Sequence, residues 1–257
     1  MVTAAKNGAA LTLSGVHKNF GGIRALSDVS ITVPEGRIVG VIGPNGAGKT
    51  TLFNVITGAF HADSGSIVTA EQIITRWPPH RIARAGIART FQNIRLFSSM
   101  TVWEHLLVAQ PRQGASLRNL MPIRWANPEA ARRAEDALSF FGLEPYRTAI
   151  ARTLPYGIQR KVEMARALTS DPKLLLLDEP VAGMNYDEAE DLRALLVGLN
   201  QRGLSILLIE HDMTFVMSLC HEIYVLDFGA VIAEGSPNKV RNDPVVLDAY
   251  LGAEGAC

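Results

Sequence analysis

Residues 43 to 50 read Gly43-Pro44-Asn45-Gly46-Ala47-Gly48-Lys49-Thr50, and Thr51 follows. The run meets the pattern G-x-x-x-x-G-K-[ST] at every fixed position, the spacing of a phosphate-binding loop. Glycine lets successive backbone N–H groups turn inward around an anion. A helix that starts at this point aims the positive end of its dipole at the same place. Lys49 brings a full charge to the terminal phosphates, and Thr50 offers a hydroxyl to Mg²⁺. The plain alternative, an ordinary Gly-rich turn, is disfavoured because a strand-like run precedes the loop and a helical pattern follows it.

A phosphate loop needs a carboxylate for its metal. Leu174-Leu175-Leu176-Leu177-Asp178-Glu179 supplies one at the end of an apolar run. In open α/β sheets ligands bind at that end of the strands. Asp178 can hold Mg²⁺ through water, and Glu179, one residue on, can polarise an attacking water. A second apolar run, Ile206 to Ile209, leads into Glu210-His211. His211 could reach a γ-phosphate from there, although a lone His at a strand end is more often a cap or a core residue. Gln92 follows Arg89-Thr90-Phe91. Taken alone, it reads as a surface residue.

These side chains need a frame, and the apolar pattern describes one. Ile38 to Ile42 is unbroken, as in a parallel strand buried on both faces. Leu52, Val55 and Ile56 then share a helical face, and Gly58 stops it. Residues 173–177 and 204–209 predict two more strands. The helix between them carries Leu192, Leu195, Leu196 and Leu199 on one face, and the unit forms a right-handed crossover. Ile223 to Leu226 predicts another strand. Ahead of the loop, Leu11, Leu13 and Val16, then Val29, Ile31 and Val33, alternate as in a small antiparallel sheet. Residues 1–10 read as a flexible tail.

Residues from about 93 to 170 are different. Asn127-Pro128 is a good helix start, and Ala130, Ala134, Ala137, Leu138 and Phe141 make a stripe that Gly142 ends. A second helix is predicted from about Gly157 to Thr169, stopped by Asp171-Pro172. The fold class is therefore α/β, with a mainly helical subdomain inserted in the core.

Composition excludes several classes. The chain has 257 residues, 25 Lys+Arg against 25 Asp+Glu, and 47% hydrophobic residues. That is a globular balance, and zero net charge excludes a general nucleic-acid coat, which needs a cationic excess. The apolar runs fall far short of the roughly 20 residues that cross a bilayer. The N-terminus carries no secretory apolar stretch. Cys220 and Cys257 make neither a disulfide framework nor a metal cluster. This predicts a soluble protein of a reducing compartment. Residues 111–127 hold Arg112, Arg118 and Arg124 and no acid. They suit either a solvated loop or contact with lipid headgroups or a channel subunit.

In this order the pieces resemble the ATP-binding subunits of ABC transporters. The Walker A loop is Gly43 to Thr51, and the Q-loop position is Gln92. The signature region is Leu154-Pro155-Tyr156-Gly157-Ile158-Gln159-Arg160. Walker B is Leu174 to Asp178, followed by Glu179. The D-loop is Ala182-Gly183-Met184-Asn185, and the switch histidine is His211. The resemblance spans about residues 11–252. Ala88 to Phe97, Met100 to Ala109, Ile209 to Met213, Asn242-Asp243-Pro244 and Ala249 to Gly252 are similar to the branched-chain amino acid importer branch.

The resemblance implies a P-loop NTPase (RecA-like) core over about 11–92 and 171–235, including a small antiparallel β subdomain. It further implies an inserted α-helical subdomain over about 93–170 and a C-terminal helix over about 236–252. It implies ATP hydrolysis, with ATP and Mg²⁺ as cofactors. ATP would be held by Phe20, stacked on adenine, and by Gly43, Pro44, Asn45, Gly46, Ala47, Gly48, Lys49, Thr50 and Thr51. Thr50, Gln92 and Asp178 would serve the metal. Glu179, His211 and Gln92 would be catalytic. Tyr156, Gly157, Ile158 and Gln159 would face the ATP of an opposite subunit.

The implied partners are a second ABC ATPase or a second copy in an ATP-sandwich dimer, transmembrane permease subunits and, indirectly, an external substrate-binding protein, with no nucleic acid. The implied place is peripheral, on the cytoplasmic face of the cell's inner membrane. The branch implies branched-chain or other hydrophobic amino acids as cargo. Importers for urea or short amides carry similar subunits. A non-transport ABC ATPase would typically bring a long coiled-coil insertion or two ATP sites. A regulatory module without catalysis sits badly with Glu179 and His211 both being present. Two motifs depart from the family: in the signature, Pro155 stands where Ser or Ala is usual and Ile158 follows Gly157 where Gln is usual, and in the D-loop, Gly183-Met184-Asn185 stands where many relatives have Leu-Asp.

Overall fold

In the computed structural model, which describes residues 8–70, 72–110 and 128–254, the apolar runs beside the chemistry become the centre of one sheet. The strands β3 (Ile38–Ile42), β7 (Leu174–Asp178) and β8 (Ser205–Ile209) are buried along their whole length. They are joined by β6 (Ile87–Arg89), β9 (Glu222–Asp227) and β10 (Ala230–Gly235) in the order β10-β9-β3-β8-β7-β6. All neighbours are parallel except β10, which returns antiparallel to β9. Leu174 and Leu176 face one apolar cluster, while Leu175 and Leu177 face the other. Burial on both faces explains why the run is continuous rather than alternating, each leucine contributing about 1.5–3 kcal/mol.

The alternating residues ahead of the loop form a second, antiparallel sheet. It holds β1 (Ala9–Phe20), β2 (Ile23–Pro34), β4 (Ser64–Thr69) and β5 (Gln72–Ile73) in the order β2-β1-β4-β5. The pairs Leu11↔Val33, Leu13↔Ile31 and Val16↔Val29 put every expected apolar residue opposite another. This face packs with Leu52, Phe53 and Ile56 of α1 (Lys49–Ile56). A short helix, α2 (Pro79–Arg84), leads to β6.

Between β6 and β7 come α3 (Val102–Val108), α4 (Pro128–Phe140) and α5 (Tyr156–Leu168), which pack on one another. Of the expected stripe, Ala134, Ala137, Leu138 and Phe141 are buried, and Ala130 is half-buried. Asn127 and the basic stretch 111–127, with Arg112, Arg118 and Arg124, lie outside the described residues. After β7 follow α6 (Tyr186–Gln201), α7 (Met213–Leu219), α8 (Pro237–Arg241) and α9 (Pro244–Glu254). Among the described residues no helix is long and apolar enough to cross a membrane.

Two expectations are corrected. Ala9 and Ala10, assigned to a tail, are buried at the start of β1. The C-terminal helix is two helices, α8 and α9, separated at Asn242-Asp243. Pro244 restricts Asp243 and cannot donate a backbone bond, and the Asp243 carboxylate instead accepts from the Val245 N–H at 3.0 Å.

Candidate active site

The phosphate loop leaves β3 at Gly43 and closes on α1. A Cβ at Gly43 would lie 2.0 Å from the Leu226 carbonyl oxygen, and one at Gly48 would lie 2.6 Å from that of Ala25. Gly48 has φ 103 and starts α1 with no side-chain cap. Only glycine fits both places. The Gly229 N–H donates to Ala47 O at 3.0 Å, so the β9–β10 hairpin supports the loop from behind. Asn45, Gly46 and Thr50 are exposed on its open side. Lys49 is buried, and its ammonium donates to Gly43 O at 2.7 Å and Pro44 O at 2.9 Å. Burial pushes the Lys49 pKa below the ordinary lysine value, while Glu179 and Asp178 pull the other way.

Asp178 and Glu179 sit at the carboxyl tip of β7. Arg89, from the end of β6, pairs with Asp178 at 2.7 Å, both side chains being nearly buried. The same guanidinium donates to Asn54 Oδ1 at 2.8 Å and Thr57 Oγ1 at 3.3 Å on the α1 side. Sequence reasoning gave Arg89 no role. Its signal, a cation at the end of a strand adjacent to the acidic strand, depends on the β6–β7 pairing, which three residues of β6 do not announce. The oxygen donors of Asp178, Thr50 and Gln92 are hard ligands of the kind Mg²⁺ prefers. That ion takes few protein ligands and completes its shell with phosphate and water. Among the described residues no cage of three or more His, Cys, Asp or Glu forms.

The Glu179 carboxylate has a partner on each oxygen. Gln92 Nε2 donates to Oε2 at 2.5 Å, and His211 Nε2 meets Oε1. Three residues far apart in the chain are thus brought to one point, and Gln92, exposed as a surface residue, reaches Glu179 from there. Glu179 itself has φ 49, a left-handed conformation that a non-glycine residue adopts at a cost, and its N–H donates to Ile209 O at 2.9 Å. Behind His211, the buried Glu210 carboxylate accepts from the N–H groups of Val181 (2.9 Å) and His211 (2.8 Å). Burial raises the Glu210 pKa, and these amides oppose the rise. Glu210 fixes the backbone on which His211 stands, a role its sequence position alone does not reveal. A carboxylate so oriented can accept a proton from water, and the Lys49 loop can neutralise charge on a leaving phosphate.

The Leu154–Gln159 turn opens α5 with Pro155 as its N-cap and no side-chain cap bond. Gln159 N–H returns to Pro155 O at 3.0 Å, and its side-chain amide donates to Arg152 O and Leu154 O. Helix geometry leaves the N–H groups of Tyr156, Gly157 and Ile158 without intrahelical acceptors. Gly157 is packed so that a Cβ would come 2.8 Å from Glu188 Oε1. Phe20 ends β1, is 40% exposed, and packs edge-on against Phe60 at 5.1 Å. The Lys18 ammonium lies 5.2 Å from the centre of the Phe20 ring, and Phe60 is a further residue at this edge that sequence reasoning missed.

A family model for ABC transporters matches residues 26–182, and one for the branched-chain amino acid ATP-binding cassette transporter matches residues 230–256. The chain is 44% identical over 248 residues to the high-affinity branched-chain amino acid transport ATP-binding protein BraF of Pseudomonas aeruginosa, covering 94% of this chain and 97% of that protein. Its fold is similar to the ADP conformation of MJ1267, an ATP-binding cassette of an ABC transporter, with TM-score 0.86 and 35% identity, over 95% of this chain and 99% of the other. It is also similar to the cassette MJ0796, whose structure is a post-hydrolysis dimer with ADP and phosphate, with TM-score 0.74 and 25% identity, over 88% and 98%. An α/β P-loop NTPase fold with this coverage and identity shows that the chain belongs to the ABC transporter family, as an ATP-hydrolysing cassette subunit.

Proposed function

We propose that this cassette powers an importer of branched-chain amino acids from the cytoplasmic face of the membrane. It would work as an ATP sandwich with a second cassette, beneath permease subunits fed by an external binding protein. The cargo assignment rests on the branch-specific match over residues 230–256 and on the relative's name. The chemistry rests on one observation above all, the Glu179 carboxylate held between Gln92 and His211 beside the Lys49 loop. ATP lies with its adenine on Phe20 and its phosphates in the loop of Gly43 to Thr51. Glu179 accepts a proton from the water that attacks the γ-phosphorus, the bond to the β-phosphate oxygen breaks, and ADP leaves. His211 orients Glu179 and meets the γ-phosphate, and Lys49 balances charge on the phosphates. Thr50, Asp178 and Gln92 hold Mg²⁺, which neutralises phosphate charge when bound. The free N–H groups of the Tyr156–Ile158 turn face the partner's ATP.

Glu179→Gln keeps size and hydrogen bonding but removes the base. Hydrolysis should fall at least ~100-fold, while ATP still binds and light scattering reports an ATP-dependent dimer, tested with the second cassette as well. Near-normal turnover would overturn the assignment. Loss of leucine uptake by cells lacking this subunit tests the cargo, and retained uptake with lost urea uptake would replace it.

A further inference from the structure

Arg160 is the largest fully buried side chain among the described residues, and it is bonded to an equally buried Glu163 at 3.0 Å. A buried ion pair of this kind is a poor stabiliser compared with apolar residues of the same volume, so its other bonds are informative. Arg160 Nη1 donates to Phe91 O at 2.7 Å, and Nη2 donates to Gln92 O at 2.8 Å. The guanidinium therefore grips the backbone on both sides of the Gln92 peptide. Nη2 also donates to the Tyr156 hydroxyl at 3.1 Å, and that hydroxyl donates to Ala182 O at 3.1 Å. The Ala182 N–H donates to Glu179 O at 3.2 Å. With Gln92 Nε2 on Glu179 Oε2, the chain of bonds closes on itself. It runs from the Glu179 side chain through Gln92, Arg160, Tyr156 and Ala182 to the Glu179 backbone.

We propose that Arg160 is a positioning residue, which through this ring fixes the Glu179 carboxylate for proton transfer and ties it to the Tyr156 turn of the same chain. The proposal rests on Glu179 being the base. The ring has a task, because Glu179 sits at φ 49, a conformation that persists only where its surroundings over-determine it. It also joins two half-sites. Gln92 and Glu179 serve the chain's own nucleotide, whereas the Tyr156 turn serves the partner's. Each subunit thereby carries a rigid polar link between the two nucleotides of the sandwich. Only a planar fork can hold two carbonyls and a hydroxyl at once, so lysine is no substitute even though it keeps the charge beside Glu163.

The test uses the full chain with its second cassette, in steady-state ATPase and melting measurements. Arg160→Lys should lower kcat about tenfold through misplacement of the base, with KM for ATP held within about twofold because the phosphate loop is untouched. Tyr156→Phe should lower kcat about threefold, and the double variant should lose no more than Arg160→Lys alone, since both open the same ring. Unchanged kcat in a folded Arg160→Lys variant, or losses that multiply in the double variant, would overturn the proposal. If Arg160→Lys does not fold, Tyr156→Phe decides alone, and full turnover by it would overturn the ring. Glu179→Gln in the same assay separates the two ideas. If it turns over normally the base assignment fails, and if it is dead while Arg160→Lys is active only the ring fails.

Discussion

At α3 and α6 the first turn is closed by its own side chains. Thr101 accepts from the Glu104 N–H while Glu104 reaches back to Thr101, and Asn185 and Glu188 do the same. Asp212 and Ser236 cap α7 and α8. At α1 and α5 the caps are Gly48 and Pro155, and neither makes a side-chain bond to the first turn. Pro78 leaves α2 uncapped as well, but there Pro79 has no N–H to satisfy. Capping residues are worth about 0.5–2 kcal/mol each, so a bare start forgoes real stability. Among the described helix starts, α2 apart, the two bare ones are those of the phosphate loop and of the Leu154–Gln159 turn. A self-capped start has already bonded one N–H group that would otherwise meet an anion, and at α3 and α6 a Glu carboxylate already sits against the positive end of the dipole.

The comparison is most exposed at Lys49. Lys49→Ala leaves the α1 start bare but removes the charge that works with it. Turnover should fall about 100-fold or more, as when one preorganised donor to a reacting centre is lost, with nucleotide affinity falling too. ATP binding and hydrolysis both staying within about twofold would mean that this helix start is not the phosphate site.

At α5 the change runs the other way. Pro155→Ser restores a hydroxyl at the cap, where it can serve the helix in the free chain and phosphate in the sandwich. A hydrogen bond to a charged group is worth about 1.5–3 kcal/mol, so ATP-driven association with the second cassette should tighten about tenfold or more. Turnover should rise only at the composite site that this chain's turn completes. The melting temperature should barely move, because the cap bond gained, about 1 kcal/mol, is offset by losing proline's restriction of the unfolded chain, about 0.4–1 kcal/mol. Equal association and equal turnover would mean that the Tyr156–Ile158 N–H groups and the dipole already suffice.

How much of this is legible in the sequence follows from how local each signal is. The loop of Gly43 to Thr51 and the runs into Asp178 and Ile209 declare themselves, because glycine geometry and two-sided burial leave few other choices. The convergence of Gln92, Glu179 and His211 was reached only through family resemblance, since no local pattern relates residues 92 and 211. Arg89 and Glu210 were missed for a related reason. Each acts on a neighbour across the sheet, and the order that puts β6 beside β7 is not written in three residues. Arg160 looks like one more surface cation of a helix with Arg and Lys on several sides, and only burial marks it out. The break before α9 is legible in Asn242-Asp243-Pro244, whereas the family resemblance implies one continuous C-terminal helix there.

The smallest effect tests the self-capped class. Thr101→Ala removes the Oγ1 that accepts from the Glu104 N–H at 3.2 Å and bonds the Glu104 carboxylate at 3.0 Å, but it keeps the Thr101 N–H bond to that carboxylate at 2.8 Å. Loss of such a cap typically costs about 1 kcal/mol, or about 2–4 °C in melting temperature for a chain of this size. ATP turnover below melting should not change, because α3 touches neither Lys49 nor Glu179. The pH dependence carries a second signature. Bonds to the Thr101 backbone and then its side chain hold the Glu104 pKa below the ordinary 4.5. A depressed carboxylate stabilises the fold above its unfolded value and loses that contribution as pH falls through its folded value. The parent should therefore shed stability below about pH 4.5, and Thr101→Ala, with one of those bonds gone, should shed less. A variant that melts normally yet hydrolyses ATP slowly would place α3 with the bare helix starts, and the division between self-capped and phosphate-facing helices would fail.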